Sequence, residues 1–198
     1  MIRTGIMGGT FDPIHTGHLI LARYALELLE LDEVWFMTSG NPPHKRDTKH
    51  TDAKTRHEMV RLAIKDCDGF MPCDYEVKRE EYSYSALTLK AFNEMYPDRE
   101  FYFIIGQDSL NYFDKWYHPE EILKYSKAAV YPRRSEVSLE DEIKRMEGLL
   151  GARFIRLDAP MIELSSTEIR KRVGDTKSIK FMVPEAVEKY IREKGLYQ

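Results

Sequence analysis

Short apolar runs alternate with amphipathic stretches along the whole chain. The stretch from Glu100 to Ile105 is apolar after its first residue, which is typical of a strand buried on both faces. From His18 to Glu30 the apolar residues instead recur at helical spacing on one face. The same reasoning predicts further strands at residues 2–7, 33–38, 70–77, 127–131 and 153–157, and further helices at residues 53–65, 85–96, 139–150, 166–173 and 184–194. This order predicts a doubly wound, Rossmann-like α/β fold with a parallel sheet and helices on both faces.

Composition adds limits to that picture. The 198 residues are 42% hydrophobic, which suits one globular domain over residues 1–198, with residues 165–198 packed on it as a helical C-terminal part. Lys and Arg number 30 against 33 Asp and Glu, and the formal net charge of −3 argues against a general nucleic-acid binder. Any phosphate site must therefore be local. The sequence does not determine the oligomeric state, and a homo-oligomer is one of the possibilities.

Membrane and redox proteins are also disfavoured. No apolar run approaches the ~20 residues needed to span a bilayer, and the N-terminus lacks the basic and apolar regions of a signal peptide. We therefore expect a cytoplasmic protein with no membrane partner. Cys67 and Cys73 have five residues between them, which matches neither a redox nor a zinc spacing, so reduced structural thiols are expected.

The predicted loop between the first strand and the first helix carries the main candidate chemistry. Gly8 and Gly9 let the backbone approach a phosphate, and the helix start that follows offers unpaired N–H groups. His15 and His18 lie three apart across that helix start, so both rings project to one side and can donate to phosphate oxygens. The alternatives are a metal-binding pair and ordinary surface histidines beside a tight turn. Because doubly wound folds bind ligands at the carboxyl ends of their strands, a phosphate site is favoured.

A later helix start is a second anion-site candidate. Ser165, Ser166 and Thr167 supply cap hydroxyls and free amides, and Arg170 lies one turn along the same face. The alternative is a plain helix cap with a surface arginine. Two candidate anion sites on one chain favour phosphate chemistry more strongly than either motif does alone.

Three other positions allow both a binding and a structural interpretation. Asp108, just after the apolar strand, suits ribose hydroxyls, or it caps a short helix beginning at Ser109, and both roles are compatible. His44 and Lys45 follow two prolines in a long polar loop, which presents cations either to a ligand or to solvent. Trp116 either stacks on a flat heterocycle or packs in the core.

These motifs resemble those of a known enzyme family. The segment GGTFDPIHTGHL at residues 8–19 resembles the HxGH signature of the nucleotidyltransferase superfamily. With PPHK at residues 42–45, GQDS at residues 106–109, Trp116 and SSTEIR at residues 165–170, nearly the whole chain resembles bacterial nicotinate mononucleotide adenylyltransferases. The resemblance implies transfer of AMP from ATP to nicotinate mononucleotide, which gives deamido-NAD and pyrophosphate in NAD biosynthesis. Mg²⁺ is then expected to arrive with ATP, without a dedicated protein cage.

The resemblance also implies roles for particular residues. The catalytic residues are His18, His15, Lys45 and Arg170. The expected ATP-binding residues are Gly8, Gly9, Thr10, Phe11, His15, His18, Gly106, Asp108, Ser165, Ser166, Thr167, Ile169 and Arg170. The expected mononucleotide-binding residues are His44, Lys45, Ser85 and Trp116. No residue is assigned to a metal.

Two segments depart from the family pattern. Leu87 stands where the family often has an aspartate, in the run Tyr-Thr-x-Asp-Thr-Leu. The family's Arg-Pro-Gly after the fifth strand is here PRRS at residues 132–135, and no adenine contact is carried over to it. Two alternative functions stay open: another HxGH adenylyltransferase, such as a phosphopantetheine enzyme, or a non-catalytic nucleotide-binding module. The second is disfavoured because both anion sites occur on one chain.

Overall fold

The computed structural model describes residues 1–40, 50–79 and 82–198, and its central feature is one parallel sheet. The strands are β1 (Ile2–Gly9), β2 (Glu33–Thr38), β3 (Phe70–Cys73), β4 (Arg99–Gly106), β5 (Lys127–Tyr131) and β6 (Phe154–Arg156). The α-helices are α1 (Thr16–Leu28), α2 (Ala53–Ile64), α3 (Ser85–Met95), α4 (Gln107–Leu110), α5 (Pro119–Tyr125), α6 (Leu139–Leu150), α7 (Ser166–Gly174) and α8 (Glu185–Glu193). The strand order is β3-β2-β1-β4-β5-β6, with every pairing parallel. The predicted Rossmann-like α/β fold is confirmed.

Successive side chains of β4 enter two separate cores. Phe101 and Phe103 belong to a cluster that includes the buried faces of α3, α4, α5 and α6. Tyr102 and Ile104 belong to a cluster on the other face, with the buried residues of α1, α2, α7 and α8. Side chains of a strand alternate between faces, so a central strand covered on both sides must be apolar throughout. This explains the continuous apolar run in the sequence.

The segment from α7 onward packs on the same core as the first two helices. Ile169 of α7 and Val187 and Ile191 of α8 are fully buried or nearly so in the cluster that contains Leu21 of α1 and Met59 of α2. Burial of such side chains stabilises the packing by about 1.5–3 kcal/mol each. The C-terminal part is therefore fixed against the elements that carry the first loop.

Three local predictions need correction, and one helix was missed. The short helix α4 begins at Gln107 with Gly106 as its N-cap, so Asp108 lies in its first turn and does not cap it. The helix predicted at residues 184–194, with Pro184 in its first turn, begins at Glu185, and Pro184 is its N-cap. The strand predicted at residues 70–77 ends at Cys73, because β3 is a short edge strand that contains a proline. Helix α5 was not predicted, since its seven residues are too few to show a helical period.

Both cysteines are free thiols and are half-buried. Burial raises the pKa of Cys73 to about 11, so this thiol stays protonated near neutral pH. Within the ranges that the structure describes, no helix has the length and apolar character needed to cross a membrane.

Candidate active site

The candidate site lies where the winding of the sheet reverses. β1 is flanked by β2 on one side and by β4 on the other, which makes the carboxyl ends of β1 and β4 the switch point. Gly9 ends β1 and Gly106 ends β4, so the first loop and the loop after β4 leave the sheet side by side. Ligands of doubly wound folds bind in the crevice at this point. The fold therefore brings the two glycine-containing loops of the predicted site together.

The two histidines of the first loop form one stacked pair. His15 is the N-cap of α1, His18 lies in its first turn, and their ring centroids are 3.6 Å apart. His18 Nδ1 accepts a 3.2 Å hydrogen bond from the backbone N–H of His15, which leaves Nε2 to carry the proton of a neutral ring. Phe11 meets the His18 ring edge-on at 5.0 Å between centroids. His18 is therefore oriented on two sides and can donate one hydrogen bond through Nε2.

Both imidazoles are neutral near pH 7. Burial, and then the charge of Arg133, lower the pKa of His15 to about 4. Burial, the His15 ring and Arg133 hold the pKa of His18 well below its usual range. Among the described residues, no group hydrogen-bonds the buried His15 Nδ1. The pair therefore supplies neutral hydrogen-bond donors, and a phosphate placed beside them would raise both pKa values.

The second candidate anion site contacts the same loop. Ser165 caps α7, accepting a 3.2 Å hydrogen bond from the backbone N–H of Glu168. Ser166 Oγ donates to the carbonyl oxygen of Pro13 at 2.8 Å, and the Arg170 guanidinium donates to the carbonyl oxygen of Asp12 at 2.7 Å. The start of α7 and the histidine loop thus meet in the fold, although Ser166 and Pro13 are separated by 153 residues in sequence.

The predicted ATP-binding residues differ in accessibility. Gly8, Asp108 and Thr167 are exposed and so are available to a ligand. The Ile169 side chain is fully buried in the core, which restricts any contact with ATP to its backbone. At Gly106 a Cβ atom would lie 2.4 Å from Asp108 Oδ1 and 3.1 Å from the Tyr131 ring, so a larger residue here would displace the exposed Asp108 side chain.

Two of the residues predicted for the mononucleotide, Ser85 and Trp116, lie in the described part of the chain, near the start of α3. Ser85 is the first residue of α3 and is half-buried. Trp116 is also half-buried, and its ring packs against Phe113 at 5.3 Å between centroids. Their sequence neighbours Tyr84 and Tyr117 have ring centroids 4.4 Å apart. The fold therefore brings Ser85 and Trp116 into one region, and Trp116 combines core packing with partial exposure.

A buried carboxylate organises the start of α3. Glu76 is 3% exposed and accepts a 2.9 Å hydrogen bond from Thr88 Oγ1. Burial raises the pKa of Glu76, while hydrogen bonds from Thr88, Ser83 and the Gly40 backbone oppose that rise. Leu87 is 53% exposed. Hydrogen bonding at this helix start therefore uses Glu76 and does not require a carboxylate at position 87.

Two residues near the site had no predicted role. Arg133 follows β5 and donates to the carbonyl oxygen of Ile162 at 2.7 Å, and its charge acts on both histidines. Ser39 follows β2, and its backbone N–H donates to the carbonyl oxygen of Gly9 at 2.9 Å. Within the described part of the chain, Arg133 Nε and Ser39 Oγ are buried without a hydrogen-bond partner. The only sequence feature that pointed to Arg133 and Ser39 as site residues is that each follows a strand closely.

His44 and Lys45 lie outside the described residues, so their proposed contacts stay predictions. In the ranges 1–40, 50–79 and 82–198, no group of three or more His, Cys, Asp or Glu side chains is placed to hold a metal ion. The side chains that surround the first loop are mainly imidazole, guanidinium and hydroxyl groups.

Comparisons with known proteins identify the family of the chain and support its fold. The family model described as cytidylyltransferase-like matches residues 6–172. A probable nicotinate-nucleotide adenylyltransferase from Clostridium novyi is 43% identical, and one from Clostridium botulinum strain Loch Maree is 40% identical, with each alignment covering 100% of both chains. Among solved structures, the nicotinic acid mononucleotide adenylyltransferase of Plasmodium falciparum complexed with APC has a TM-score of 0.81 at 22% identity, covering 100% of this chain and 98% of that one. The same protein complexed with NaAD has a TM-score of 0.80.

Proposed function

The chain belongs to the nicotinate-nucleotide adenylyltransferase family of cytidylyltransferase-like proteins, and we propose that the site at its first loop transfers the adenylyl group of ATP to nicotinate mononucleotide. The products are deamido-NAD and pyrophosphate, so the enzyme is a nucleotidyltransferase of NAD biosynthesis. One observation carries the assignment of the site. The stacked pair of His15 and His18 and the α7 start with Ser166 and Arg170 meet at one loop, at the switch point of the sheet.

Two anion sites at one loop suit an in-line displacement between two phosphate-bearing substrates. The 5′-phosphate of the mononucleotide attacks the α-phosphorus of ATP, and the bond to the departing pyrophosphate breaks. Such transfers require positioning and stabilisation of charge on the phosphate oxygens more than a protein nucleophile. No covalent intermediate with the protein is needed.

His18 is the donor to the α-phosphate in the transition state. Its Nδ1 is occupied by the His15 backbone N–H, so Nε2–H is the group that can meet a phosphate oxygen. The ring is already fixed by His15 and Phe11, and a fixed donor needs no reorganisation as charge develops. His15 contacts the neighbouring phosphates through the same face of the loop.

Positive charge for the leaving pyrophosphate comes from Arg170, together with Lys45. Two Arg170 nitrogens bind the Asp12 carbonyl oxygen and Thr167 Oγ1, and a guanidinium has five N–H donors, so others stay available to an anion. Mg²⁺ carried by ATP would neutralise phosphate charge. Within the described residues, no group of three or more His, Cys, Asp or Glu side chains is placed to hold Mg²⁺, so no step is assigned to the ion through protein ligands.

The start of α3 is proposed to bind the nicotinate end. Ser85 offers a hydroxyl and an amide at a helix N-terminus, where the dipole favours a carboxylate. The exposed part of Trp116 is available to stack on the pyridine ring. An amide in place of the carboxylate would turn its NH₂ group toward donors and leave one polar group unpaired, at a cost of about 1–3 kcal/mol.

The test is a pyrophosphate-release assay with ATP and each of three acceptors. We expect turnover with nicotinate mononucleotide and a kcat/KM roughly ten- to hundred-fold lower with nicotinamide mononucleotide. A ratio of the two kcat/KM values near one would show that the start of α3 does not distinguish the carboxylate from the amide. Turnover with phosphopantetheine alone would identify another adenylyltransferase, and ATP binding without turnover would identify a binding module. The cytoplasmic location, the absence of nucleic-acid and membrane partners, and the oligomeric state stay predictions.

A further inference from the structure

Asp12 is a buried carboxylate three residues before His15, and the proposed mechanism gives it no role. It is 3% exposed. Its Oδ1 accepts a 2.6 Å hydrogen bond from the Tyr197 hydroxyl, and its Oδ2 accepts one of 3.2 Å from the Thr51 backbone N–H. Oδ2 also lies 3.5 Å from His50 Nδ1. A buried carboxylate with a hydrogen-bond donor on each oxygen is an anchor for the backbone around it.

Tyr197 reaches Asp12 from the other end of the chain, 185 residues away in sequence. Its backbone has a φ of +67°, in the left-handed region that bulky residues rarely adopt. Such a conformation persists only where the surrounding structure holds it, and it is frequent at functional sites. Tyr197 packs partly against the core shared by α1, α2 and α8, and its hydroxyl is held at the loop.

A second buried residue holds the other end of the same loop segment. Arg56 is 2% exposed and donates to the carbonyl oxygens of Thr10 at 2.6 Å and Thr51 at 2.8 Å. Thr10 and Asp12 flank Phe11, whose ring meets His18 edge-on. The loop segment that orients His18 is therefore fixed on both sides by side chains from outside the loop.

We propose that Tyr197 is a positioning residue for the proposed reaction: its hydroxyl fixes the Asp12 carboxylate, and Asp12 fixes the backbone that sets His15 and His18. The inference rests on the proposed function, since it concerns the geometry of that reaction. Loss of the hydroxyl lets Asp12 shift. The shift displaces Phe11, one residue before Asp12, and His15, three residues after it. Because a displacement of about 1 Å at reacting groups can lower a rate about a hundred-fold, a smaller shift is expected to cost about ten-fold in kcat.

The experiment compares Tyr197→Phe with Tyr190→Phe in the full-length protein. Tyr190 lies on α8 and is half-buried, and no hydrogen bond of its hydroxyl is present among the described residues, so it is a matched tyrosine without the anchor. We expect Tyr197→Phe to lower kcat about ten-fold, with the KM values for ATP and the mononucleotide within about three-fold of wild type. Tyr190→Phe should keep the wild-type kcat. All assays are made well below the measured Tm of each variant.

A double-mutant cycle then tests the path of the effect. If Tyr197 acts through Asp12, Asp12→Asn should lower kcat, and the double variant should lose less than the product of the two single losses. Independent effects, or a Tyr197→Phe variant with a lower Tm and an unchanged kcat, would overturn the inference and leave a purely structural tyrosine. Failure of the proposed function is a separate result, because the wild-type protein would then release no pyrophosphate.

Discussion

At the first-loop end of the site, His15 is 2% exposed and its ring is stacked on His18, whereas at the α3 end Ser85 and Trp116 are half-buried and Tyr117 is 46% exposed. The first loop is held by hydrogen bonds from α7, α2 and Tyr197. The start of α3 has no side-chain hydrogen bond at its N-cap, and the buried Glu76 supports it from one side. The two ends therefore differ in how far they are fixed before a substrate arrives.

This difference suggests how binding and rate are divided. Donors that are fixed in advance lower the barrier, because no reorganisation is needed when charge develops. A partly exposed ring and the backbone amides of a helix N-terminus contribute mainly to substrate affinity and to selection among similar ligands. Changes at the first loop should therefore affect kcat, and changes at the start of α3 should affect KM.

The largest expected effect is at His18. His18→Ala should lower kcat about 10²-fold or more and leave ATP affinity within several-fold, because the donor acts mainly in the transition state. His118→Asn is the matched control: this exposed histidine pairs with Glu120, and asparagine tolerates its left-handed backbone. Steady-state kinetics with both substrates measures the effect. A near-normal kcat in His18→Ala would end the assignment of His18 as the donor.

The neutral histidines predict a pH dependence of stability. The pKa of His15 is about 4 in the native state and about 6.5 in the unfolded chain, so between these values the unfolded state binds the extra proton. The stabilisation is present above pH 6.5 and is lost as the pH falls toward 4, by about 2 kcal/mol at pH 5.

Urea unfolding at several pH values checks this prediction. His15→Gln should have a shallower decrease in the free energy of unfolding between pH 6.5 and 5 than the wild type. Equal slopes for His15→Gln and wild type would mean that folding does not lower the pKa of His15, and His15 would then not be a neutral donor at every pH between 6.5 and 5.

A smaller effect is expected at the α3 end. Trp116→Ala should raise the KM for the mononucleotide about ten-fold and that for ATP much less, since base stacking is worth about 1–3 kcal/mol and part of this ring is used in core packing. Trp35→Phe, a change in the core beyond the site, should lower Tm and leave both KM values unchanged. An equal rise in both KM values for Trp116→Ala would assign Trp116 to packing alone.

The smallest effect is expected at Leu87. Because this side chain is 53% exposed in the first turn of α3, Leu87→Asp should stabilise the helix by about 0.3–1 kcal/mol through the dipole. The KM for the mononucleotide should stay within about two-fold of wild type, because Thr88 and Glu76 already form the local hydrogen bond. A large change in KM would show that position 87 takes part in binding.

Much of the fold was predictable because its signals are local. The bounds predicted for β2, β5 and α6 agree with the structure, since each has a clear period and definite ends. The short α5 and the true start of α4 were missed, because a helix of one or two turns has too little sequence to show a period.

The candidate site divides in the same way. The sequence by itself determined which loops carry the candidate phosphate-binding residues, because strand order and motif spacing place Gly9, His15 and His18 at the carboxyl end of β1. Only the tertiary structure decided that the histidines are neutral, that Arg133 acts on both, and that Tyr197 anchors the loop. Burial, charge and hydrogen bonds between distant segments depend on packing in three dimensions, and a pattern of neighbouring residues does not contain them.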